Sequence, residues 1–295
     1  MIRSVGRTGP LKVAGRVCWA LRFDVAALVV AAAVLVPIPD AIQEENAVAV
    51  LSVLGISATI FIGFRNTTAY NRWWEARTLW GSIVINCRAL DNALSSVDTG
   101  AESLAAVHDR MRRRQVRHAW QLACELRGVD PPAAVAELTP EDPREDGATS
   151  LLNRQARDIQ TLSRHHELDN QGRSMLMALN TALVGAQSGL ERIRNQPIPI
   201  HYDLFIRVLA WFFGLMVFNR IDGSSDSIAS IVLGLAVMSV FVIAERLGHF
   251  IEVPMGNTVF DLPMFRFCST VTGNLLGGGH PLARPREPAT ATVWM

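Results

Sequence analysis

The sequence predicts an all-α membrane protein with four transmembrane helices and a large cytosolic helical domain. Two observations support this prediction. Apolar residues, which make up 49% of the chain, gather into four separate windows. The long stretch between the second and third windows also places its apolar residues at helical spacing. The windows lie near residues 25–38, 47–64, 204–218 and 228–244.

The first two spans are assigned to residues 25–64. The window 25–38 is short against the roughly 20 residues that cross a bilayer, so burial against other helices must assist it. Pro37 and Pro39 close this window where a cleaved signal peptide would have a small-residue site, which favours a retained helix. The second span runs from about Ala47 to Phe64.

Three bulky apolar residues recur at every fourth position along the second span. Ile56, Ile60 and Phe64 therefore stack along one face of a helix. Such a stripe suits a hydrophobic pore constriction, which holds back ions by dewetting. It equally suits helix packing or contact with lipid, and spacing alone leaves these alternatives open. Gly55 and Gly63 are positions where another helix could approach closely.

The cytosolic domain is assigned to residues 65–199 and is predicted to be mostly helical. Pro131-Pro132 and the run from Thr139 to Pro143 predict turns, and the last helical pattern stops before Pro197. The helical patterns cover Leu79–Leu94, Met111–Leu126, Leu151–His165 and Arg173–Arg194.

The third and fourth spans are assigned to residues 200–245. Arg207 lies inside the third span and Glu245 at the end of the fourth. Charges at such depth are costly, so we expect both to have structural partners rather than a role in permeation. A cytosolic segment, residues 246–276, follows. The tail, residues 277–295, is rich in Gly, Pro and Thr, which predicts disorder.

The charges on the connecting segments orient the chain. The N-terminal segment, residues 1–24, has five basic residues, whereas the loop Asp40–Asn46 has none. The positive-inside rule therefore places the N-terminus and the region after Phe64 in the cytoplasm. An even number of spans returns the C-terminus to the same side. The sequence thus predicts a multi-pass protein in the lipid bilayer of the cell membrane, with both termini cytoplasmic.

Composition and motifs argue against several other classes of protein. A net charge of +1 gives no reason to expect nucleic acid as a partner. His165-His166 and the pair Glu245 and His249 lack a full ligand set, so neither a metal nor a cofactor is predicted. The four cysteines are too far apart in sequence for a zinc site. No hydrolase, zincin or P-loop motif occurs, so no catalytic residue is assigned and no enzyme is expected.

A charged motif with two tryptophans follows the second span: Arg72, Trp73, Trp74 and Glu75. Tryptophan favours the membrane boundary, and Arg72 can pair with Glu75 at i, i+3. We interpret the motif as an interface anchor and subunit lock rather than as a contact with ions.

A cluster of five arginines lies within the cytosolic domain. A solvated face is its commonest explanation, and a partner site or an anion-attracting surface is the alternative. The members of the cluster are Arg110, Arg112, Arg113, Arg114 and Arg117.

Three motifs in this chain resemble the bestrophin family, in particular its bacterial branch. The first, GFRNTTAYNRWWEARTLWG, runs from Gly63 to Gly81. The second, PIPIHY, opens the third span and includes Pro199. The third is EVPMG from Glu252 to Gly256, followed by Asp261-Leu262-Pro263. With the pattern of spans, the resemblance covers roughly residues 15–280.

The resemblance implies a homopentameric ion channel whose pore crosses a transmembrane neck and a cytosolic vestibule. It places Ile56, Ile60 and Phe64 at the three apolar neck positions that gate the pore. Family members in animals and plants conduct chloride and other anions, so a monovalent anion, chloride above all, is the expected ion. Some bacterial relatives select cations, which keeps sodium or potassium as the alternative.

The chain departs from the family pattern in two places. Animal members hold calcium on a run of acidic residues after the fourth span. Residues 256–261 offer one carboxylate, Asp261, against the roughly six to eight oxygens that calcium takes, so gating through such a clasp is not expected. Val253 and Phe265 stand where the bacterial pattern has asparagine and an acidic residue. The resemblance places a second, cytosolic constriction near the start of the Arg173–Arg194 pattern without identifying its residue.

Two other interpretations remain open. In one, the chain is a membrane-anchored interaction module whose 65–196 block binds a cytosolic partner. In the other, it is a membrane enzyme, which would need a polar constellation that the sequence does not display. Expression of residues 65–196 alone tests the first: an anchored module leaves a folded monomer, whereas a channel leaves a fragment that misfolds.

Overall fold

The computed structural model describes residues 15, 19, 21–35, 44–97, 102–222, 228–256 and 260–284. Within these ranges the regular structure is helical and contains no strand, which confirms the all-α prediction. The helices are α1 (Arg22–Leu35), α2 (Glu44–Ser96), α3 (Glu102–Arg127), α4 (Ala133–Ala136), α5 (Ala148–Arg164), α6 (Asn170–Asn195), α7 (Ile200–Asp222), α8 (Ile228–Glu252) and α9 (Met264–Leu276), followed by a 3₁₀ turn at Pro281–Ala283.

The chain divides into two compact units, and α2 contributes residues to both. The first unit comprises Met1–Trp73, Pro197–Pro254 and Thr258–Phe260. The second unit comprises Trp74–Gln196, Met255–Asn257 and Asp261–Met295.

By length and composition, three of the described helices could cross a membrane: Val48–Ser96 within α2, Ile200–Ile221 within α7, and α8. α1, which is 14 residues long, covers residues 25–35 of the first predicted span. The end of its window, residues 36–38, lies outside the described residues.

Apolar side chains of α7 and α8 form the centre of the first unit. Phe213 meets Phe241 edge to face, with the ring centroids 4.7 Å apart. Two clusters of buried residues extend this packing to α1 and α2. One cluster consists of Leu28, Phe218, Met238 and Val242, and the other of Ile62, Ile206 and Ala210.

The second unit packs aromatic side chains of α2 and α3 against α9. Trp80 stacks on Phe267 and Trp120 on Phe265, with centroid distances of 5.9 and 5.6 Å. Trp120 also donates a hydrogen bond from Nε1 to Thr272 Oγ1 at 3.1 Å. A fragment that ends at residue 196 lacks α9, so its failure to fold would not distinguish a channel from an anchored module.

The helical patterns predicted for the cytosolic domain lie in α2, α3, α5 and α6, with α5 ending one residue before the predicted His165, and the predicted turns lie between α3 and α5. These predictions are confirmed. The sequence did not predict the start of α6, where the Asp169 side chain accepts a hydrogen bond from the backbone N–H of Gly172 at 2.6 Å. This bond satisfies one of the unpaired donors of the first turn.

The composition boundary between residues 64 and 65 lies inside one helix. α2 is 53 residues long, and no proline interrupts it. The backbone therefore passes from the apolar window through Arg72 and Trp73 without a turn. Similarly, α8 continues to Glu252, past the end predicted at residue 245.

The disorder predicted from residue 277 onward is wrong for residues 277–284. Gly277 ends α9 with φ +90°, a conformation that glycine tolerates best, and the 3₁₀ turn packs against α9. Leu282 is buried there, and one apolar anchor suffices for a short segment that is otherwise rich in Gly and Pro. Residues 285–295 lie outside the described residues.

Candidate functional site

The three residues of the apolar stripe lie together on one exposed face of α2. Their exposed fractions are 63% for Ile56, 48% for Ile60 and 63% for Phe64. Ala58 and Ile62, on the other side of the helix, are buried in the first unit. The three side chains therefore share one face, as their spacing predicts, and the role of the stripe as a pore neck stays a prediction.

A shallow groove of about 500 Å³ lies beside the stripe. Gly55 forms part of its wall, and a Cβ added there would lie 2.9 Å from Cζ of Phe213 on α7. The close helix approach expected at Gly55 is thus present, whereas a Cβ at Gly63 would meet no atom within 4 Å. The groove is lined by Leu51, Ser52, Gly55, Ile56, Thr59 and Ile60.

The hydroxyl groups on this part of α2 donate their hydrogen bonds within the helix. Ser52 donates to the carbonyl of Val48 at 2.7 Å and Thr59 to that of Gly55 at 2.8 Å. A hydroxyl that donates to the preceding turn is tolerated in an apolar environment, because its donor is already satisfied. The exposed face around the stripe is therefore less polar than its residue types suggest.

Arg65 directly follows the stripe, but its side chain is fully buried inside the first unit. Its Nη1 donates to Glu245 Oε1 at 2.5 Å, and its Nη2 forms an ion pair with Asp203. Nη2 also lies 3.4 Å from Glu252 Oε2 and 3.3 Å from His249 Nδ1. One guanidinium thus connects α2 to α7 and to α8.

Two further arginines extend these contacts. Arg207 Nε lies 3.7 Å from Glu245 Oε1, and Arg207 Nη2 lies 3.3 Å from Asp203 Oδ2. The expectation that Arg207 and Glu245 each have a structural partner is therefore confirmed. Arg246 donates from Nε to Asp24 Oδ1 at 2.8 Å, and this bond links α1 to α8. We call this set the Arg65 network. Its members are Asp24, Arg65, Asp203, Arg207, Glu245, Arg246, His249 and Glu252.

Sequence reasoning assigned no role to Arg65, although one signal was available. A charged residue that follows an apolar window without a helix breaker must either leave the bilayer or find a buried partner. Its carboxylate partners lie 138 and 180 positions away in the chain, so periodicity could not identify them.

Three members of the network resemble a metal site in their geometry. Ligand atoms of Asp203, His249 and Glu252 lie within 4.8 Å of one another. However, the Nη2 atom of Arg65 contacts all three side chains and so supplies the positive charge that a metal ion would otherwise provide. The arrangement therefore fits a resident arginine better than a metal ion.

The charged tryptophan motif divides between the units. In the first unit, Arg72 donates from Nε to the carbonyl of Glu252 at 3.3 Å, and Trp73 donates from Nε1 to the carbonyl of Phe260 at 3.2 Å. In the second unit, Glu75 forms an ion pair with Arg192, and Trp74 is 55% exposed. These contacts hold helix ends and loops in place within the chain, and the role of the motif as an interface anchor and subunit lock stays a prediction.

The two other motifs start helices. The carbonyl of Pro199 accepts hydrogen bonds from the N–H groups of Tyr202 and Asp203, which opens α7. Pro263 stands at the start of α9, and Asp261 before it is buried. Phe265, which departs from the bacterial pattern, stacks on Trp120 in the core of the second unit.

The arginines of the basic cluster on α3 are engaged with oxygen atoms of the second unit. Arg114 donates to both carboxylate oxygens of Asp142, at 2.7 and 2.8 Å, and Arg117 donates to the carbonyl of Pro143 at 2.6 Å. Burial tends to raise the pKa of Asp142, but the hydrogen bond and charge of Arg114 outweigh it and hold that pKa below its usual value. The cluster is therefore largely a set of structural ion pairs.

A family model described as bacterial/fungal bestrophin protein matches residues 10–277. A voltage-dependent anion channel-forming protein of Mesorhizobium japonicum is 26% identical over 244 residues, which is 79% of this chain and 77% of that protein. A protein of the same name from Synechocystis sp. is 29% identical over 229 residues, 73% of this chain and 72% of that protein.

A solved structure is similar over nearly the whole chain. The crystal structure of a bacterial bestrophin homologue from Klebsiella pneumoniae has a TM-score of 0.76 and 26% sequence identity. The match covers 88% of this chain and 100% of that chain.

Proposed function

The chain belongs to the bacterial and fungal bestrophin family, and on this premise we propose that it forms a channel that conducts anions across a membrane. Its relatives from Mesorhizobium and Synechocystis, which are named voltage-dependent anion channel-forming proteins, support the proposal. The observation on which it chiefly rests is the stripe Ile56, Ile60 and Phe64, which is apolar and exposed on a helix long enough to cross a bilayer.

The stripe would act as the neck of the pore. An ion that enters a narrow apolar ring loses hydrating water and gains no polar group in return, which costs several kcal/mol or more. A narrow ring therefore stays dewetted and closed, and a small widening admits water and ions. Bulky side chains at three successive levels of one helix face suit this kind of gate.

A pore built on this stripe needs more than one copy of the chain. Each chain presents one stripe, and the opposite face of α2 is already buried. Copies arranged around a common axis would bring their stripes together, since a closed ring repeats the same contact. We propose a homopentamer, with both termini in the cytoplasm and the four apolar helices in the cell membrane.

Chloride is the ion we propose, with other monovalent anions as further substrates. The apolar neck does not discriminate by charge, so selectivity is set by other groups along the pore. Sodium or potassium conduction is the alternative outcome of the experiment below.

The test is the reversal potential of the purified protein in a planar bilayer under a KCl gradient, for wild type, Ile60→Ala and Leu233→Ala. Leu233 is a matched control because it is a similarly exposed apolar side chain, at 56%, on α8. We expect current that reverses near the chloride equilibrium potential. Ile60→Ala should raise the conductance by widening the neck, and Leu233→Ala should leave it unchanged.

Other results would change the proposal in defined ways. Reversal near the potassium equilibrium potential would assign the channel to cations. An equal change of conductance in Ile60→Ala and Leu233→Ala would show that the stripe does not line the pore. A folded wild-type oligomer that passes no current would contradict the channel itself.

A further inference from the structure

The Arg65 network lies directly behind the apolar stripe on the same helix. Phe64 and Arg65 are consecutive, so their side chains point about 100° apart around α2. Phe64 is 63% exposed, whereas the Arg65 side chain is fully buried. Any rotation of α2 about its axis that withdraws Arg65 from its partners therefore turns Phe64 by the same angle.

The contacts of Arg65 determine this angle more tightly than apolar packing would. A guanidinium is planar and presents its donors in fixed directions. Here Nη1 donates to Glu245 on α8 and Nη2 pairs with Asp203 on α7, so two partners on two helices define the orientation of one side chain. Apolar packing in this region, such as Ile62 against Ile206, has no comparable directionality.

A second contact lies one residue further along. Asn66 donates from Nδ2 to the carbonyl of Ala244 at 3.1 Å. A Cβ added at Gly248 would collide with the side-chain oxygen of Asn66, so α2 and α8 meet closely at this point. Arg65 and Asn66 together attach α2 to α8 immediately below the last residue of the stripe.

We propose that Arg65 is the positioning residue of the neck. It sets the rotation of α2, and so the direction in which Phe64 and Ile60 point, through its simultaneous contacts with Asp203 and Glu245. This inference rests on the proposed function for its consequence in conduction, but the rotation itself can be measured without current.

The experiment compares Arg65→Lys with Arg207→Lys. Both substitutions keep the positive charge and remove the fork of donors, and both alter the same network. Arg207 is the matched control because its contacts, with Asp203 and Glu245, do not involve α2. A lysine ammonium at position 65 would be a single point charge, unable to hold both partners at the arginine geometry.

The first readout is independent of channel activity. Ile60→Cys and Ile62→Cys place thiols on opposite faces of α2, since Ile60 is 48% exposed and Ile62 is 6% exposed. The ratio of their labelling rates with a small thiosulfonate reagent, measured by mass spectrometry on the detergent-purified oligomer, reports the rotation. Cys18→Ser removes a competing thiol, and Cys87, Cys124 and Cys268 are buried.

We expect Arg65→Lys to lower the ratio of labelling at position 60 to that at position 62 by about tenfold, which corresponds to ~1.4 kcal/mol. Arg207→Lys should leave the ratio unchanged. In planar bilayers, Arg65→Lys should also change the single-channel conductance, whereas a loss of stability alone would change only the number of active channels.

An unchanged labelling ratio in Arg65→Lys would overturn the inference, and so would an equal change in both lysine variants. If Arg65→Lys yields no folded oligomer, Asn66→Ala provides the test, because it must shift the ratio in the same direction. If the wild type passes no current but the cysteine variants show the expected change in labelling ratio, the proposed function is contradicted. The positioning role of Arg65 is then still supported.

Discussion

The two units differ in the kind of side chain that they expose. In the first unit Arg65 and Glu245 are fully buried, while apolar side chains of α1, α7 and α8 are exposed. In the second unit fewer large apolar side chains are exposed, and its buried side chains include aromatic residues such as Trp80 as well as Arg114 and Arg117. Among the described residues, all but five of the exposed large apolar side chains belong to the first unit. The five exceptions are Trp74, Ile85, Val129, Met175 and Val184.

This contrast indicates which interactions stabilise each unit. Where lipid surrounds a helix bundle, exposed apolar groups cost nothing, and charged groups are stable only if they face one another inside. In water the hydrophobic effect drives apolar groups inward and leaves most charges at the surface. We therefore expect the first unit to depend strongly on the buried ion pairs of Arg65, and the second on its apolar core together with buried pairs such as Arg114 and Asp142.

The largest effect is expected from Arg65→Met. The substitution leaves Asp203, Glu245 and Glu252 without the cation they share, and removal of one partner of a buried ion pair costs several kcal/mol. We expect a loss of about 5 kcal/mol. Thermal unfolding of the detergent-solubilised protein would measure it, with the exposed Phe212→Ala as a control that should differ little from wild type. Near-normal stability of Arg65→Met would contradict the expectation that the buried ion pairs of Arg65 stabilise the first unit.

The second effect concerns the apolar core of the second unit. Trp120→Ala removes a buried indole that stacks on Phe265 and donates to Thr272. The lost contacts and the cavity should cost about 4 kcal/mol. Intrinsic fluorescence and circular dichroism against denaturant would show it as a lower midpoint. The exposed Trp74→Ala is the control, and equal losses in both would argue against an apolar core as the main source of stability.

The third effect is a dependence on acid. His118 is buried and contacts Gln187 Oε1 at 2.9 Å, and burial lowers its pKa from 6.5 to about 4 against the opposing effect of that hydrogen bond. As the pH falls from 6.5 toward about 4, the unfolded chain binds a proton that the folded chain does not. The contribution of His118 to the free energy of unfolding is therefore complete above pH 6.5 and is lost as the pH falls toward about 4.

We expect the free energy of unfolding to fall by roughly 3 kcal/mol across that window, because one pKa unit corresponds to ~1.4 kcal/mol. The measurement is the unfolding midpoint as a function of pH for wild type and His118→Gln. The glutamine variant does not titrate there, so its curve should be flatter. Parallel curves for the two proteins would assign the acid sensitivity to other groups.

The smallest effect is expected from the surface pair of the second unit. Arg192 and Glu75 form an ion pair, but their side chains are 57% and 45% exposed. Such pairs contribute about 0–1 kcal/mol, so Arg192→Ala should shift the unfolding midpoint only slightly. High salt should reduce the difference further. A loss comparable with that of Arg65→Met would contradict the distinction between buried and surface charges.

Much of the fold could be predicted from local patterns. The amphipathic periods of α3, α5 and α6, and the apolar runs of α7 and α8, each lie within one continuous segment of chain. The common face of Ile56, Ile60 and Phe64 follows from helical geometry alone. The predicted span boundaries do not coincide with helix ends, since α2 continues past residue 64 and α8 past residue 245, where composition changes but the helical backbone does not.

The helices, the apolar windows and the stripe follow from local sequence, because periodicity and hydrophobicity are properties of neighbouring residues. The partners of Arg65 and the closure of the second core by α9 were decided by the tertiary structure. Arg65 meets Glu245 across 180 positions, and Trp120 meets Thr272 across 152. Contacts of this kind depend on how whole helices pack, and a buried charge finds its place only when packing brings an opposite charge within reach.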